Sequence, residues 1–394
     1  MPDAAGAVFE DADSFFDFMG KNCGGERTVI VLDELPYLAE TDLSFLSVFQ
    51  RAIDNVLSKS NIYLILCGSA ISFMENEVLA EKSPLFGRRT NQIFLKPFDY
   101  IESALFVPKY SCEQKAIVYG VTGGVAKYLS LFDDDISLDE NLIKLFFSPS
   151  GYLYDEAANL LTQEFRSTST YNLVIEVCAS GTNRANEIAD KAHITTSALS
   201  FILKSLMTVG IVSRISPITD KHNKKKNRYE VTDGMYRFWY KFIPPAVSAI
   251  EQGRGEVFYM KNVKPRLHEY MGSVFEKMCR DYTLMAGIDG RLDTMVTEIG
   301  SWWGSGRDHR PTDIDVVGID NINHTAVIGE CKFKNEKLDK DIYDTLLSRA
   351  GLIEGGYSEN EYLLFSLSGF SKWVSEEADK KVKMISIDDM YQLA

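Results

Sequence analysis

The arrangement of apolar and polar positions changes character twice along the chain. In the first third, short apolar runs of strand type, Thr28–Leu32, Ile62–Cys67 and Gln92–Leu95, surround an amphipathic stretch, Phe45–Leu57, whose apolar residues recur at helical spacing. Alternation of this kind predicts an α/β layer built on a mainly parallel sheet. From Pro97 to Gly151 the pattern is helical, with Gly123-Gly124 opening a short helix through Leu129, and it predicts a small helical lid.

Residues 170–240 read differently. Helices near Tyr171–Ala179, Ala185–Ala192 and Thr196–Val209, with Gly181 and Gly210 as stops, precede two strand-like runs, Ile211–Ile215 and Arg228–Val231, that frame the charged turn Asp220–Lys226. That order predicts a winged helix-turn-helix. After Pro244-Pro245, a helix near Arg266–Leu284 leads to strands at Thr294–Ile299, Ile314–Ile319 and Ala326–Lys332. A helix at Lys340–Leu352, a strand at Tyr362–Leu367, a helix at Lys372–Lys380 and a strand at Lys383–Ile387 complete a second α/β unit. The predicted domains are therefore 1–151, 165–243 and 262–394, a division that 394 residues allow.

Charge narrows the functional classes. A formal net charge of −14 excludes a surface that is basic all over, so any nucleic-acid contact must come from a local patch. Lys221, Lys224, Lys225, Lys226 and Arg228 form the one concentrated basic patch, beside His222. Thr195-Thr196-Ser197 open the helix that would enter a DNA groove. DNA is the expected partner, and the alternative is a solvated hairpin tip on a winged helix that contacts protein. Six cysteines without a CxxC pair, no basic start followed by an apolar run and no apolar stretch of about 18 residues predict a cytoplasmic protein with no membrane contact. The five histidines lack metal-ligand spacing, so zinc is not expected.

Two places carry candidate chemistry. Asp33-Glu34 follow the first apolar run, where an α/β sheet places its ligand crevice, and two acids there suit Walker B chemistry: one for the magnesium shell, one for the attacking water. The alternative is a strand ending in two solvated acids. Ser69 closes the next run as a polar group suited to a γ-phosphate, and Arg88 and Arg89 are positioned to meet transition-state charge. In the last third, Asp313-Ile314-Asp315 and Glu330-Cys331-Lys332 lie on two strands, and residues two apart on a strand share a face. Asp315, Glu330 and Lys332 then combine two carboxylates for a hard divalent cation with an ammonium for water or phosphate. Glu276, on the preceding helix, is placed to turn toward the same cation. The alternative is a salt-bridged strand edge. Trp302 and Trp303 read as core residues before they read as base-stacking platforms.

The wording of these segments is specific. LDELPYL, LCGSAISFM, SPLFGRRT, LKPF and GGVAKYL, in this order, resemble the prokaryotic AAA+-type ATPases with a C-terminal nuclease-like module (DUF234-type). GSVFE, EIGSWWG, DIDVVGID and GECKF resemble that module, which has a PD-(D/E)xK restriction-endonuclease-like fold. The resemblance implies that Asp33 and Glu34 are the Walker B acids, Ser69 a sensor and Arg88 or Arg89 an arginine finger. It also implies that Glu276, Asp315, Glu330 and Lys332 are the metal and catalytic groups, with Mg2+ or Mn2+ as cofactor. The chain departs from the family in one respect: the family begins with a strand and a GxxxxGK[ST] loop, and residues 1–394 contain no such segment. That strand would lie between Tyr63–Cys67 and Gln92–Leu95. Without the loop the β- and γ-phosphates lose their cradle, so weak ATP binding, no ATP hydrolysis by this chain alone and an N-terminally truncated or miscalled product are expected.

The expected function is a Mg2+-dependent DNA-cleaving protein recruited by the winged helix. One alternative is a non-catalytic DNA-binding or regulatory protein that retains the ATPase and nuclease folds as scaffold. Another is an ATPase that takes its phosphate loop from a second chain, a homo-oligomer or a partner.

Overall fold

The computed structural model describes residues 8–23, 27–41, 44–68, 70–165 and 167–392, apart from the side chains of Glu40 and Ser72. The chain divides into two compact units, Met1–Leu95 with Thr162–Arg166, and Lys96–Leu161 with Ser167–Ala394.

In the first unit, β-branched runs form two parallel strands, β1 (Thr28–Leu32) and β2 (Ile62–Leu66), in register from Thr28↔Ile62 to Leu32↔Leu66. Side chains alternate between the faces of a strand, so one face carries Ile30 and Leu64 and the other Val29, Val31, Tyr63 and Ile65. The first face packs on helices Ala12–Asn22 and Phe45–Asn55, where Phe16 and Phe49 stack with ring centroids 5.0 Å apart. On the second face all four side chains are exposed. The predicted third strand does not form: Gln92–Leu95 is irregular, and Ile93, Phe94 and Leu95 are exposed. A strand needs a neighbour for its backbone groups, and the loop-bearing strand expected to supply one is missing from the sequence.

In the second unit, the segment predicted as a lid is helical but is built into a larger helical core. Helix Cys112–Thr122 starts at a Ser111 capping box, ends at Gly123 in the left-handed conformation (φ 65°), and is buried over most of its length. It packs against helices Gly234–Phe242 and Leu267–Ile288. The Tyr270 hydroxyl donates to the Gly120 carbonyl at 2.7 Å and to the Gly234 carbonyl at 3.1 Å. A Cβ at Gly234 would sit 2.6 Å from the Gly120 oxygen, so the approach requires glycine.

Helices Ser169–Ala179, Ala185–Lys191 and Thr196–Thr208 follow. They precede the antiparallel strands β3 (Val212–Ile215) and β4 (Arg228–Val231), the element order expected from the sequence.

The C-terminal sheet runs β5 (Glu298–Ser305), β6 (Pro311–Asp320), β7 (Thr325–Lys332), β8 (Ser358–Ser366) and β9 (Val382–Ser386) in that spatial order. β5, β6 and β7 pair antiparallel, and β7, β8 and β9 parallel through helical crossovers. Helix Leu267–Ile288 packs on β5, β6 and β7, while Leu346 and Val374 from the crossover helices join Ile314, Ile328 and Leu364 in a buried cluster. β5 begins later than predicted and continues through Trp302 and Trp303; Thr294–Thr297 lie outside it. Among the described residues no helix is long and apolar enough to cross a membrane.

Candidate functional site

The acids of the C-terminal sheet meet at the end of the β6–β7 ladder. Its last regular pair is Val316↔Gly329, and the next step sets Asp315 beside Glu330. On the other side of β6, the register with β5 shifts between Gly300↔Val317 and Trp302↔Ile314, so Ser301 faces both Asp315 and Val316. Bulges of this kind redirect a side chain and leave backbone groups unpaired by the ladder. Here Arg280 supplies the missing donor, giving a hydrogen bond of 2.9 Å from Nη1 to the Asp315 carbonyl.

The side chains then interlock. The Cys331 amide donates to Asp315 Oδ2 at 3.1 Å. Lys332 Nζ lies 2.6 Å from Glu330 Oε1 and 3.9 Å from Asp315 Oδ2, as the shared face of Glu330 and Lys332 predicts. Arg349 donates to the other Glu330 oxygen and lies 3.5 Å from Asp313 Oδ1. Glu276, one helical turn before Arg280, is 3.7 Å from its guanidinium. Glu276, Asp313, Asp315 and Arg280 line a cleft of about 50 Å3, completed from β4 by Arg228 and Glu230. It has room for an ion with some water.

Burial first, and the crowding of like charges second, shift the protonation of the two acids Glu276 and Glu330. Burial, and then the Asp315 charge, push the Glu276 carboxyl up to about 7 against the opposing pull of Arg280. Burial and Asp315 also raise Glu330, opposed by Lys332 and Arg349. Burial works against the Lys332 charge, but the Glu330 carboxylate outweighs it and holds the ammonium above the usual lysine value.

All donors here are hard oxygens in a site with surplus negative charge, which fits Mg2+ or Mn2+. The three acids do not close on one point: among the described residues, three ligand atoms lie within 4.8 Å of one another only at Asp133–Asp135. There Lys109 already pairs with Asp134 and Asp135. A cation at the sheet would therefore be held by two of its acids, with water completing the coordination.

The basic patch is partly consumed within the chain. Lys221 pairs with Glu298 at 2.7 Å, Lys226 with Asp220 at 2.9 Å, and the Arg228 guanidinium stacks 4.3 Å from the Trp303 ring. The Trp303 indole donates to the Lys226 carbonyl, and the Ile218 amide to the Ser301 carbonyl at the bulge. Ile218 is itself buried in the cluster of the C-terminal sheet. The β3–β4 connection is thereby fastened along β5; Lys221, Lys224 and Lys225 are the exposed members of the five, and of these Lys221 is the one held by an acid, Glu298. Trp302 and Trp303 are buried, as core residues.

In the first unit, Asp33 and Glu34 stand where β1 ends. The Cys67 amide donates to the Leu32 carbonyl and the Leu35 amide to the Cys67 carbonyl, both at 2.9 Å, so the two acids lie beside the end of β2. Glu34 adopts the left-handed conformation (φ 51°), which is uncommon for a residue other than glycine. Ser69 lies outside the described residues. Arg88 is tied to Asp54 through two hydrogen bonds of 2.8 Å, whereas Arg89 is exposed and meets Gln92. Of the two finger candidates, Arg88 is thus engaged in holding the fold.

The sequence reading did not single out Arg280, Arg349 or Glu230. Arg280 was within reach of it, four residues after Glu276 on a helix. Arg349 and Glu230 come from distant segments and carry no local signal.

A family model described as an ATPase domain predominantly from Archaea matches residues 4–132, and one of archaeal and bacterial proteins of unknown function (DUF234) matches residues 239–342. The Uncharacterized protein MJECL04 of Methanocaldococcus jannaschii is 31% identical over 347 residues, covering 87% of this chain and 75% of that protein. The Uncharacterized protein MJ0424 of the same organism is 36% identical over 55 residues, 14% of this chain and 53% of that protein. The chain belongs to the family of archaeal-type ATPase-domain proteins with a C-terminal DUF234 domain.

Proposed function

We propose that the C-terminal α/β domain is a divalent-metal-dependent nuclease module of the PD-(D/E)xK type that acts on DNA. The observation that carries this reading is the convergence of Asp315, Glu330 and Lys332 at one end of the β6–β7 ladder, with Glu276 lining the same cleft as Asp315. Asp315 with Glu330 or Glu276 would hold Mg2+ or Mn2+. When bound, the cation supplies positive charge to a phosphate oxygen and acidifies water. Lys332 works against the effect of burial on Glu330 and orients it, and offers an ammonium to charge that develops on the phosphate. The three helices with β3 and β4 serve as a winged helix whose exposed Lys224 and Lys225 meet the DNA backbone.

In the first unit, Asp33 and Glu34 serve as the Walker B acids. Residues 1–394 hold no GxxxxGK[ST] segment, so ATP hydrolysis at this site requires a phosphate loop supplied from outside them.

The test is incubation of the full chain with plasmid and linear DNA in Mg2+ or Mn2+. Cleavage that disappears with chelator and in Lys332→Ala supports the reading, and cleavage unchanged in that variant overturns it. The contact of both Glu330 oxygens with cations favours a second reading, a DNA-binding scaffold without catalysis. That alternative gives salt-sensitive DNA binding and no metal-dependent product.

A further inference from the structure

Glu330 is the most enclosed acid of the site, its side chain 4% exposed, and each of its oxygens has its own cationic donor. Each oxygen keeps a further lone pair, but in so enclosed a site the cationic donors already there repel a divalent cation, so one donor leaves as the cation binds. Its two donors differ in how readily they can leave. Lys332 is two residues away on the same strand face and also near Asp315, so it remains among the acids. Arg349 enters from the C-cap of helix Lys340–Ser348 and already has a second acid at hand, Asp313, at 3.5 Å. Asp313 is 60% exposed, so a guanidinium that moves to it has both a counter-charge and water. Leaving Glu330 does not strand Arg349 as a buried unpaired charge.

We propose that Arg349 is a positioning residue that occupies Glu330 in the metal-free protein, yields it to the divalent cation by turning toward Asp313, and then presents its guanidinium to the phosphate. The inference rests on the metal-site reading above. Charge favours the sequence of events. Glu276, Asp313, Asp315 and Glu330 against Arg280, Lys332 and Arg349 give −4 + 3 = −1 with every group ionised. A divalent cation makes the site +1, which the single negative charge of a phosphodiester neutralises. A planar guanidinium with paired donors suits two phosphate oxygens better than a lysine would.

The experiment is a calorimetric Mn2+ titration of the full-length wild type, Arg349→Gln and Glu330→Gln, each checked for folding by circular dichroism. Arg349→Gln leaves Lys332 on Glu330, and is expected to bind Mn2+ at least tenfold more tightly than wild type, whereas Glu330→Gln binds at least tenfold more weakly. With Mn2+ present, Arg349→Gln is also expected to bind a short DNA duplex several-fold less tightly. A purely structural arginine would not give tighter metal binding on removal. Equal or weaker Mn2+ binding by folded Arg349→Gln overturns the proposal while the metal site stands. Absence of Mn2+ binding in wild type and Arg349→Gln alike overturns the metal-site reading and this inference with it. If Arg349→Gln does not fold, Arg349→Lys, with shorter reach and one point of attachment, is expected to gain about threefold, and no gain overturns the proposal.

Discussion

The Cys331 amide donates to the Asp315 carboxylate one step beyond the last regular β6–β7 pair, at 3.1 Å. The bond fixes an acid of the proposed site to the backbone of the strand that carries Glu330 and Lys332, so Asp315 has a structural duty in addition to its charge. Asp315→Asn keeps an acceptor for that amide; Asp315→Ala leaves it unmet. Urea denaturation should find the alanine variant less stable than the asparagine variant by about 1–3 kcal/mol, the usual cost of an unsatisfied buried donor. Equal stabilities would remove the anchoring role.

Glu276 makes stability depend on pH. Its carboxyl is pushed up to about 7 in the folded chain from an ordinary value of 4.5. Between those values the unfolded chain releases a proton that the folded chain keeps, so the contribution of this group to stability falls as pH rises through the window and levels off above it. Glu276→Gln removes the penalty. In chelator, its melting temperature should exceed wild type at pH 8 and match it near pH 4; a difference of the same size at both would show that ionisation is not the cause.

Ile218 lies in the β3–β4 connection but is buried among residues of the C-terminal sheet. Ile218→Ala should therefore destabilise the unit by about 2–5 kcal/mol, the range for large-to-small changes in a core. A loss under about 0.5 kcal/mol, typical of a surface position, would mean that the connection is not fastened to β5.

Within the basic patch, engagement with acids of the chain itself sorts the exposed lysines. Neutralising Lys224 and Lys225 together should weaken DNA binding and lower the slope of log K against log salt by about two, because each exposed phosphate contact contributes nearly one. Lys221→Ala, whose ammonium already pairs with Glu298, should change that slope by less than half as much. Equal effects from the two variants would contradict this assignment.

The legible parts of the sequence were those governed by short-range periodicity. Alternation on β7 placed Glu330 and Lys332 on one face, and helical spacing found the Leu267–Ile288 helix with Glu276 on it. Gln92–Leu95 had strand composition but formed no strand, since pairing depends on a neighbour and not on the run itself. The lysine-rich turn looked like a free patch because Glu298 and Trp303, which engage Lys221 and Arg228, lie about 75 residues further on. Arg349 was hidden for the same reason: its link to Glu330 is made by a crossover that brings a helix cap back over the sheet.

The most direct test of the central claim is the single-turnover rate of DNA cleavage by the full chain in Mg2+ and in Mn2+, measured for wild type, Lys332→Ala and Glu330→Gln. The account predicts product only with metal, and at least a hundredfold loss in each variant, the scale on which removal of one charge-stabilising group acts. Wild-type protein that binds DNA and Mn2+ yet yields no product, or variants that cut as fast as wild type, would contradict it.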